Sequence, residues 1–151
     1  MKNTNSHLRP SNAFVGASWT SLFLGMGGYM IGLWNSAMPM NEKGYYFAIL
    51  VLGLFASISL QKTMRDRMEG LPITGIYMGT CWVALAIALL MLSIGLFNAS
   101  FELAVKGFYG MAYLLSLFSV VTVQKNVRDI AAFHRANDDG RDGGEYRAAT
   151  E

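Results

Sequence analysis

The residues of this chain that could do chemistry come in pairs, 63 positions apart. Asn35 recurs as Asn98, Lys43 as Lys106, and Gln61-Lys62-x-x-Arg65-Asp66 as Gln124-Lys125-x-x-Arg128-Asp129. Glu42 and Glu102 stand just ahead of the two lysines. These groups can cap carbonyls, pair as ions or hold a phosphate, but they do not make a catalytic set. His7 and His134 lie on polar flanks with no Cys or His at ligand spacing, and the lone Cys81 has neither a disulfide partner nor a base beside it. Catalysis would have to rest on Glu42, Lys43, Glu102 and Lys106 alone. The chain is therefore read as a non-enzyme, without metal or cofactor.

Helical spacing says what the repeated groups could reach. Gln61 and Arg65 share one face of a helix, and Lys62 and Asp66 the next. Cations suit the negative C-terminal end of a helix and an aspartate does not, unless a neighbour neutralises it. A Lys62–Asp66 pair contributes only about 0.2–0.5 kcal/mol. The expectation is reciprocal pairing between copies, Arg65 with Asp129 and Arg128 with Asp66, against the simpler reading of a solvated flank. Lys43 and Lys106 open helices, the end where the dipole disfavours a cation. Their candidate partners are a lipid phosphate, Glu42 or Glu102, or a carbonyl of the facing helix, and simple snorkelling to the headgroups is the plainer reading. Asn35 and Asn98 each close a helix, where asparagine caps carbonyls or takes the left-handed conformation.

The elements that carry these residues are apolar. No Asp, Glu, Lys or Arg occurs in 10–41, 44–61, 70–101 or 107–124. A span needs roughly 20 apolar residues, about 17 at the short end, so all four windows qualify. Their long-short-long-short order is a duplication: over 14–67 against 77–130, 17 of 54 positions are identical without a gap. The fold class expected is an all-α integral membrane protein, four transmembrane helices arranged as a tandem parallel duplication of a two-helix unit. Its divisions are a polar N-terminal arm (1–12), unit 1 (13–67), a cytoplasmic linker (68–76, with the third helix starting near 73), unit 2 (77–130) and a disordered C-terminal tail (131–151). The second helices are expected at about 44–66 and 107–130. Gly70 and Pro72 end one helix and admit the next.

Ten of the twelve Lys and Arg fall in the N-terminal arm, the middle connection and the C-terminal flank. The positive-inside rule then puts both termini and that connection in the cytoplasm. Topology and attraction to anionic headgroups account for the basic residues, and no motif points to nucleic acid. Gly28 and Gly32 form a small-xxx-small pair that would admit another helix closely. Only Gly32 has a glycine counterpart, Gly95, so close packing at Gly32 and Gly95 is the shared feature. The additional glycines of the first helix suggest a homodimer or another membrane-protein contact.

With these strings laid out, the chain resembles the YiaA/YiaB two-helix-domain family of small bacterial inner-membrane proteins. The resemblance runs through Gly32-Leu33-Trp34-Asn35, Met40-Asn41-Glu42-Lys43-Gly44-Tyr45-Tyr46-Phe47, Gln61 to Asp66, and their second copies, over about residues 13–130. It implies a multi-pass protein of the bacterial inner membrane built from two family domains, and supplies no activity. The function expected is a non-catalytic scaffold or accessory protein that binds membrane lipids or a membrane-protein partner. The alternative is an oligomeric channel or transporter for a small solute or ion. Parallel repeats are a transporter plan, but intramembrane charges normally mark ion paths and the four windows contain none.

Overall fold

The structure, a computed structural model, describes residues 10–148, with side chains as far as residue 136. It contains α1 (Asn12–Asn35), α2 (Met40–Met68), α3 (Gly75–Asn98) and α4 (Leu103–Ala148). Most of the arm expected at 1–12 lies outside the described residues, as do the last three residues of the tail.

The helix ends repeat as the sequence does. Ser11 caps α1, its hydroxyl accepting from the Phe14 amide at 3.2 Å, and Thr74, its counterpart, accepts from the Tyr77 amide at 3.4 Å. Gly70 takes φ +76°. The Leu71 amide donates to the Asp66 carbonyl and the Gly70 amide to that of Arg67, at 3.0 and 3.2 Å. These are the two bonds of a Schellman stop, and they require the left-handed residue that glycine supplies.

Two boundaries differ from expectation. α2 and α4 begin one turn early, because the Pro39 carbonyl accepts from the Glu42 and Lys43 amides, both at 3.1 Å, and the Glu102 carbonyl from Val105 and Lys106. Asn41 to Gly44 thus forms the first turn of a helix rather than a loop. At the other end, α4 runs on to Ala148, so the disordered tail expected from 131 is helical to that point. Once a helix is nucleated by a span, each further residue adds a hydrogen bond without a new nucleation cost, and Ala131, Ala132, Arg135 and Ala136 are good helix formers.

Among the described residues, three helices are long and apolar enough to cross a membrane: α2, α3, and α4 as far as Ala136. α1 has 24 residues and no charge. That is about 36 Å of helix, but its glycines, its serines and Thr20 dilute its hydropathy. Trp19, Phe23, Leu24, Ile31, Phe55, Ile76, Trp82, Leu90 and Phe118 all point outward and are exposed. A belt of this extent would be an aggregation patch in water; against hydrocarbon it is the solvated surface.

The helices do not pack by unit. α1 lies along α4, α3 along α2, and α2 against α4, whereas α1 with α2 and α3 with α4 touch little. Each unit's first helix is therefore seated on the other unit's second helix, and the pseudo-two-fold axis runs between α2 and α4. α1 reaches α4 most closely at Gly25, where a Cβ would stand 2.9 Å from the Ser116 amide nitrogen and hydroxyl and 3.1 Å from the Ala112 carbonyl oxygen. The small-residue contact predicted for Gly28 and Gly32 falls instead at Gly25, one turn earlier.

Candidate functional site

Gly32 and Gly95 are the seats of the interlock. A Cβ on Gly32 would meet Phe108 Cε1 at 3.0 Å and the Tyr109 hydroxyl at 3.3 Å. One on Gly95 would meet Tyr45 Cε1 at 2.9 Å and the Tyr46 hydroxyl at 3.2 Å. Each glycine accepts an aromatic pair from the other unit, so what approaches is a ring rather than a helix backbone. Gly28 takes part more loosely, 3.6 Å from Phe108 Cζ. Tyr46 and Tyr109 stack across the axis with centroids 6.2 Å apart, and Tyr29 meets Tyr109 edge-on at 5.4 Å. In an apolar interior a phenolic hydroxyl needs a partner. Tyr29 donates to the Tyr46 carbonyl at 3.0 Å, Tyr45 to that of Met91 at 2.7 Å and Tyr113 to that of Ile49 at 3.2 Å.

At the same end of the bundle the repeated polar residues close the first helix of their own unit. Asn35 donates to the Ile31 carbonyl at 3.0 Å and Asn98 to that of Ile94 at 2.9 Å. Lys43 Nζ donates to the Trp34 carbonyl at 2.9 Å and Lys106 Nζ to that of Phe97 at 3.2 Å. Of the four carbonyls a helix leaves open, that of Trp34 or Phe97 is thereby satisfied by a cation that also complements the negative helix end, while each asparagine bonds back one turn up its own helix. Of the partners proposed for the lysines, the carbonyl is the one engaged. Glu42 sits in the first turn of α2, where its charge is favourable. Glu102 is exposed, and its backbone carbonyl starts α4.

The opposite end corrects the expected ion pairs. Arg65 binds Asp66 at 3.0 Å and reaches Glu69 at 3.4 Å; Arg128 binds Asp129 at 3.0 Å. Each arginine folds back on the next residue of its own helix, which requires no approach of two helix ends. The cross-unit pairs Arg65–Asp129 and Arg128–Asp66 are not formed, and the carboxylate of Asp66 goes to Arg65 rather than Lys62. Lys62 and Lys125 flank these pairs without joining them. Gln61 is partly buried, and the Gln124 amide oxygen is buried without a hydrogen-bond partner.

Beside the ion pairs lie buried polar contacts that the repeated strings did not reveal. Asn126 is 1 % exposed and donates to the Ser18 hydroxyl at 3.0 Å. Its pseudo-symmetry mate is Thr63, whose hydroxyl lies 3.8 Å from Cys81 Sγ, and Cys81 is the counterpart of Ser18. Both copies thus place a small polar pair where a first helix crosses the other unit's second helix. The signal available in the sequence was the recurrence of polar type rather than of identity, Ser18 and Cys81 inside charge-free windows and Thr63 and Asn126 among the repeated charges just past them. On α4 the Ser119 hydroxyl and the second amide atom of Asn126, its oxygen, are buried without partners. Among the described residues no group of three or more His, Cys, Asp or Glu could hold a metal ion. The arrangement offers hydrogen bonds and packing.

A bundle built by duplicating a two-helix unit is the class these features define. The model of the yiaA/B two helix domain matches twice, over residues 14–66 and 77–129. The chain belongs to that family and carries its domain in tandem. It is 55 % identical over 119 residues to the inner membrane protein YiaA of Escherichia coli (strain K12), covering 79 % of this chain and 82 % of that protein. It is also 37 % identical over 62 residues to the uncharacterized membrane protein YubF of Bacillus subtilis (strain 168), covering 40 % of this chain and 71 % of that protein, the extent of one unit. No solved structure matches.

Proposed function

We propose that this chain is a four-span protein of the bacterial inner membrane, with both termini and the middle connection cytoplasmic, that acts as a non-catalytic scaffold or accessory protein. The observation that carries the reading is where the repeated polar groups are used. Asn35, Asn98, Lys43 and Lys106 satisfy carbonyls of their own unit, and Arg65 and Arg128 neutralise their own neighbours. They hold the bundle and leave no poised acid, base or nucleophile. What remains for function is the cytoplasmic basic-acidic face around Lys62, Arg65, Lys125 and Arg128, offered to lipid headgroups or a membrane-protein partner.

One observation favours the runner-up, an oligomeric channel or transporter: the unpartnered hydroxyl of Ser119 and amide oxygen of Asn126 lie on the inward strip of α4. Native mass spectrometry of the gently extracted protein separates the two. The scaffold reading expects a monomer or dimer, or a defined stoichiometry with a second protein. A closed ring of three or more copies whose reconstituted vesicles conduct solute or ions would overturn it. Reporter fusions at the two termini test the orientation; activity of a periplasmic reporter at either end contradicts it.

A further inference from the structure

Because α1 and α2 touch little beyond the Tyr29–Tyr46 and Lys43–Trp34 bonds, the first unit is left with an open cleft between them. It measures about 570 Å³ and is lined by Met30, Leu33, Trp34, Met40, Lys43, Gly44 and Phe47. That volume lies within the range of about 300–1,000 Å³ typical of ligand sites. Its walls are apolar except for one cation. Gly44 adds depth, since a Cβ there would meet nothing within 4 Å. Trp34, Met40 and Phe47 at the rim are themselves exposed. In the second unit Gly110 stands where the first has Phe47, so the aromatic wall is missing, while Gly107, the counterpart of Gly44, likewise faces open space.

We propose that the α1–α2 cleft holds one phospholipid, its phosphate on Lys43 and an acyl chain along Met30, Leu33 and Phe47. The inference deepens the scaffold reading and rests on its four spans. Lys43 borders the charge-free window 44–61, which places its ammonium at headgroup depth and the apolar walls below it in hydrocarbon. An ammonium has three donors, and the bond to the Trp34 carbonyl uses one. A phosphate oxygen accepts another in a charge-assisted bond without uncapping α1. The cleft opens on the lipid-facing side, so its occupant arrives from the bilayer, and a phospholipid is the bilayer component that joins an anion to a chain. Lys43 thereby serves two bonds at once, capping its helix and holding the lipid that fills the gap the interlock leaves.

The test is native mass spectrometry and thermal melting of the full chain in mild detergent, titrated with phosphatidylglycerol. The wild type keeps one phospholipid and melts higher as lipid is added. Gly44→Leu fills the cleft without touching the core and weakens retention about tenfold or more, abolishing the melting shift; Lys43→Gln weakens it several-fold. Gly79→Leu, whose Cβ on α3 also stands in open space, retains lipid like the wild type and controls for a general effect of an added side chain. Glycerol phosphate, a headgroup without chains, does not compete. If Gly44→Leu binds as tightly as the wild type, or the folded wild type keeps no lipid, the site is refuted. The span reading is checked separately in Cys81→Ser, by labelling Ala37→Cys and Leu71→Cys from opposite sides of the membrane. Labelling of both from one side topples the spans and the site together. Opposite-side labelling with unchanged lipid binding in Gly44→Leu refutes the site alone.

Discussion

The two units share their outer seats and caps but differ in what they put beneath them. Unit 1 brings Gly25 and Tyr29 to α1 where unit 2 has Ala88 and Leu92 on α3; unit 2 brings Tyr113 and Ser116 to α4 where unit 1 has Leu50 and Gly53 on α2. The changes are complementary, because α1 faces α4. A glycine on α1 meets a serine on α4, and Tyr113 leans over Gly53, where its hydroxyl would collide with any Cβ. Among the residues retained in both copies, by contrast, Gly32, Gly95, Tyr46 and Tyr109 join the units, and Asn35, Asn98, Lys43 and Lys106 bond carbonyls at the end of a first helix. The difference teaches that the copies drifted as partners in one interface. A single unit, with its first helix standing away from its second, has no packed core of its own.

The largest effect is expected where the approach is to backbone. Gly25→Leu pushes a side chain into the Ser116 amide and Ala112 carbonyl and should destabilise by about 3 kcal/mol or more, the upper end for overpacking, read as loss of monodisperse protein and a steep fall in melting temperature. Next comes a test of the symmetric seats. Gly95→Ala should cost more than Gly32→Ala, about 1–3 kcal/mol against less than about 1. The ring it meets, Tyr45, is pinned by its hydroxyl to the Met91 carbonyl, while Phe108 has no hydroxyl to pin it. Adding Tyr45→Phe should recover part of the Gly95→Ala loss, and a double-mutant cycle with no coupling would break the comparison.

Smaller effects test the caps and ends. Lys43→Met and Lys106→Met should each cost about 0.3–1 kcal/mol in thermal unfolding, and the two should add. Charge reversal at Arg65 and at Asp129 should each cost about 1 kcal/mol or less, because these pairs are partly exposed. The double reversal should show no rescue; rescue would restore the cross-unit pairing that the geometry lacks. Asn126→Leu removes an unpartnered amide oxygen together with the bond to Ser18, whose hydroxyl still donates to the Phe14 carbonyl, so its net cost should stay within about 1 kcal/mol.

Much of the fold was legible, and the reasons are specific. Charge-free windows marked the four helices, three of them long and apolar enough to cross a membrane, the 63-residue offset marked the duplication, and Gly70 marked the stop that its positive φ executes. Asn35 and Asn98 stand at helix ends as expected, but each bonds back to the carbonyl four residues earlier rather than taking the left-handed conformation. Helix pairing was not legible, because helices that are apolar on every side carry no periodic face to say which neighbour they meet. For the same reason nothing in the sequence singled out Tyr29, Tyr113 and Asn126, whose contacts exist only because α1 and α2 lie against α4. The ion pairs were misjudged because Arg65 and Asp66 are adjacent in sequence and on different helix faces, yet a guanidinium is long enough to fold back. Continuation of α4 beyond 130 was hidden by the glycines near 140, which a helix already nucleated can absorb.

The claim that matters most is the interlock, and splitting the chain tests it directly. Residues 1–70 and 71–151, each separately tagged, would be expressed alone and together in membranes. The account predicts that the halves purify together one to one, that the joint complex melts near the intact chain, and that either half alone is degraded or pairs with itself. Two halves that each accumulate as folded monomers and never associate would contradict it.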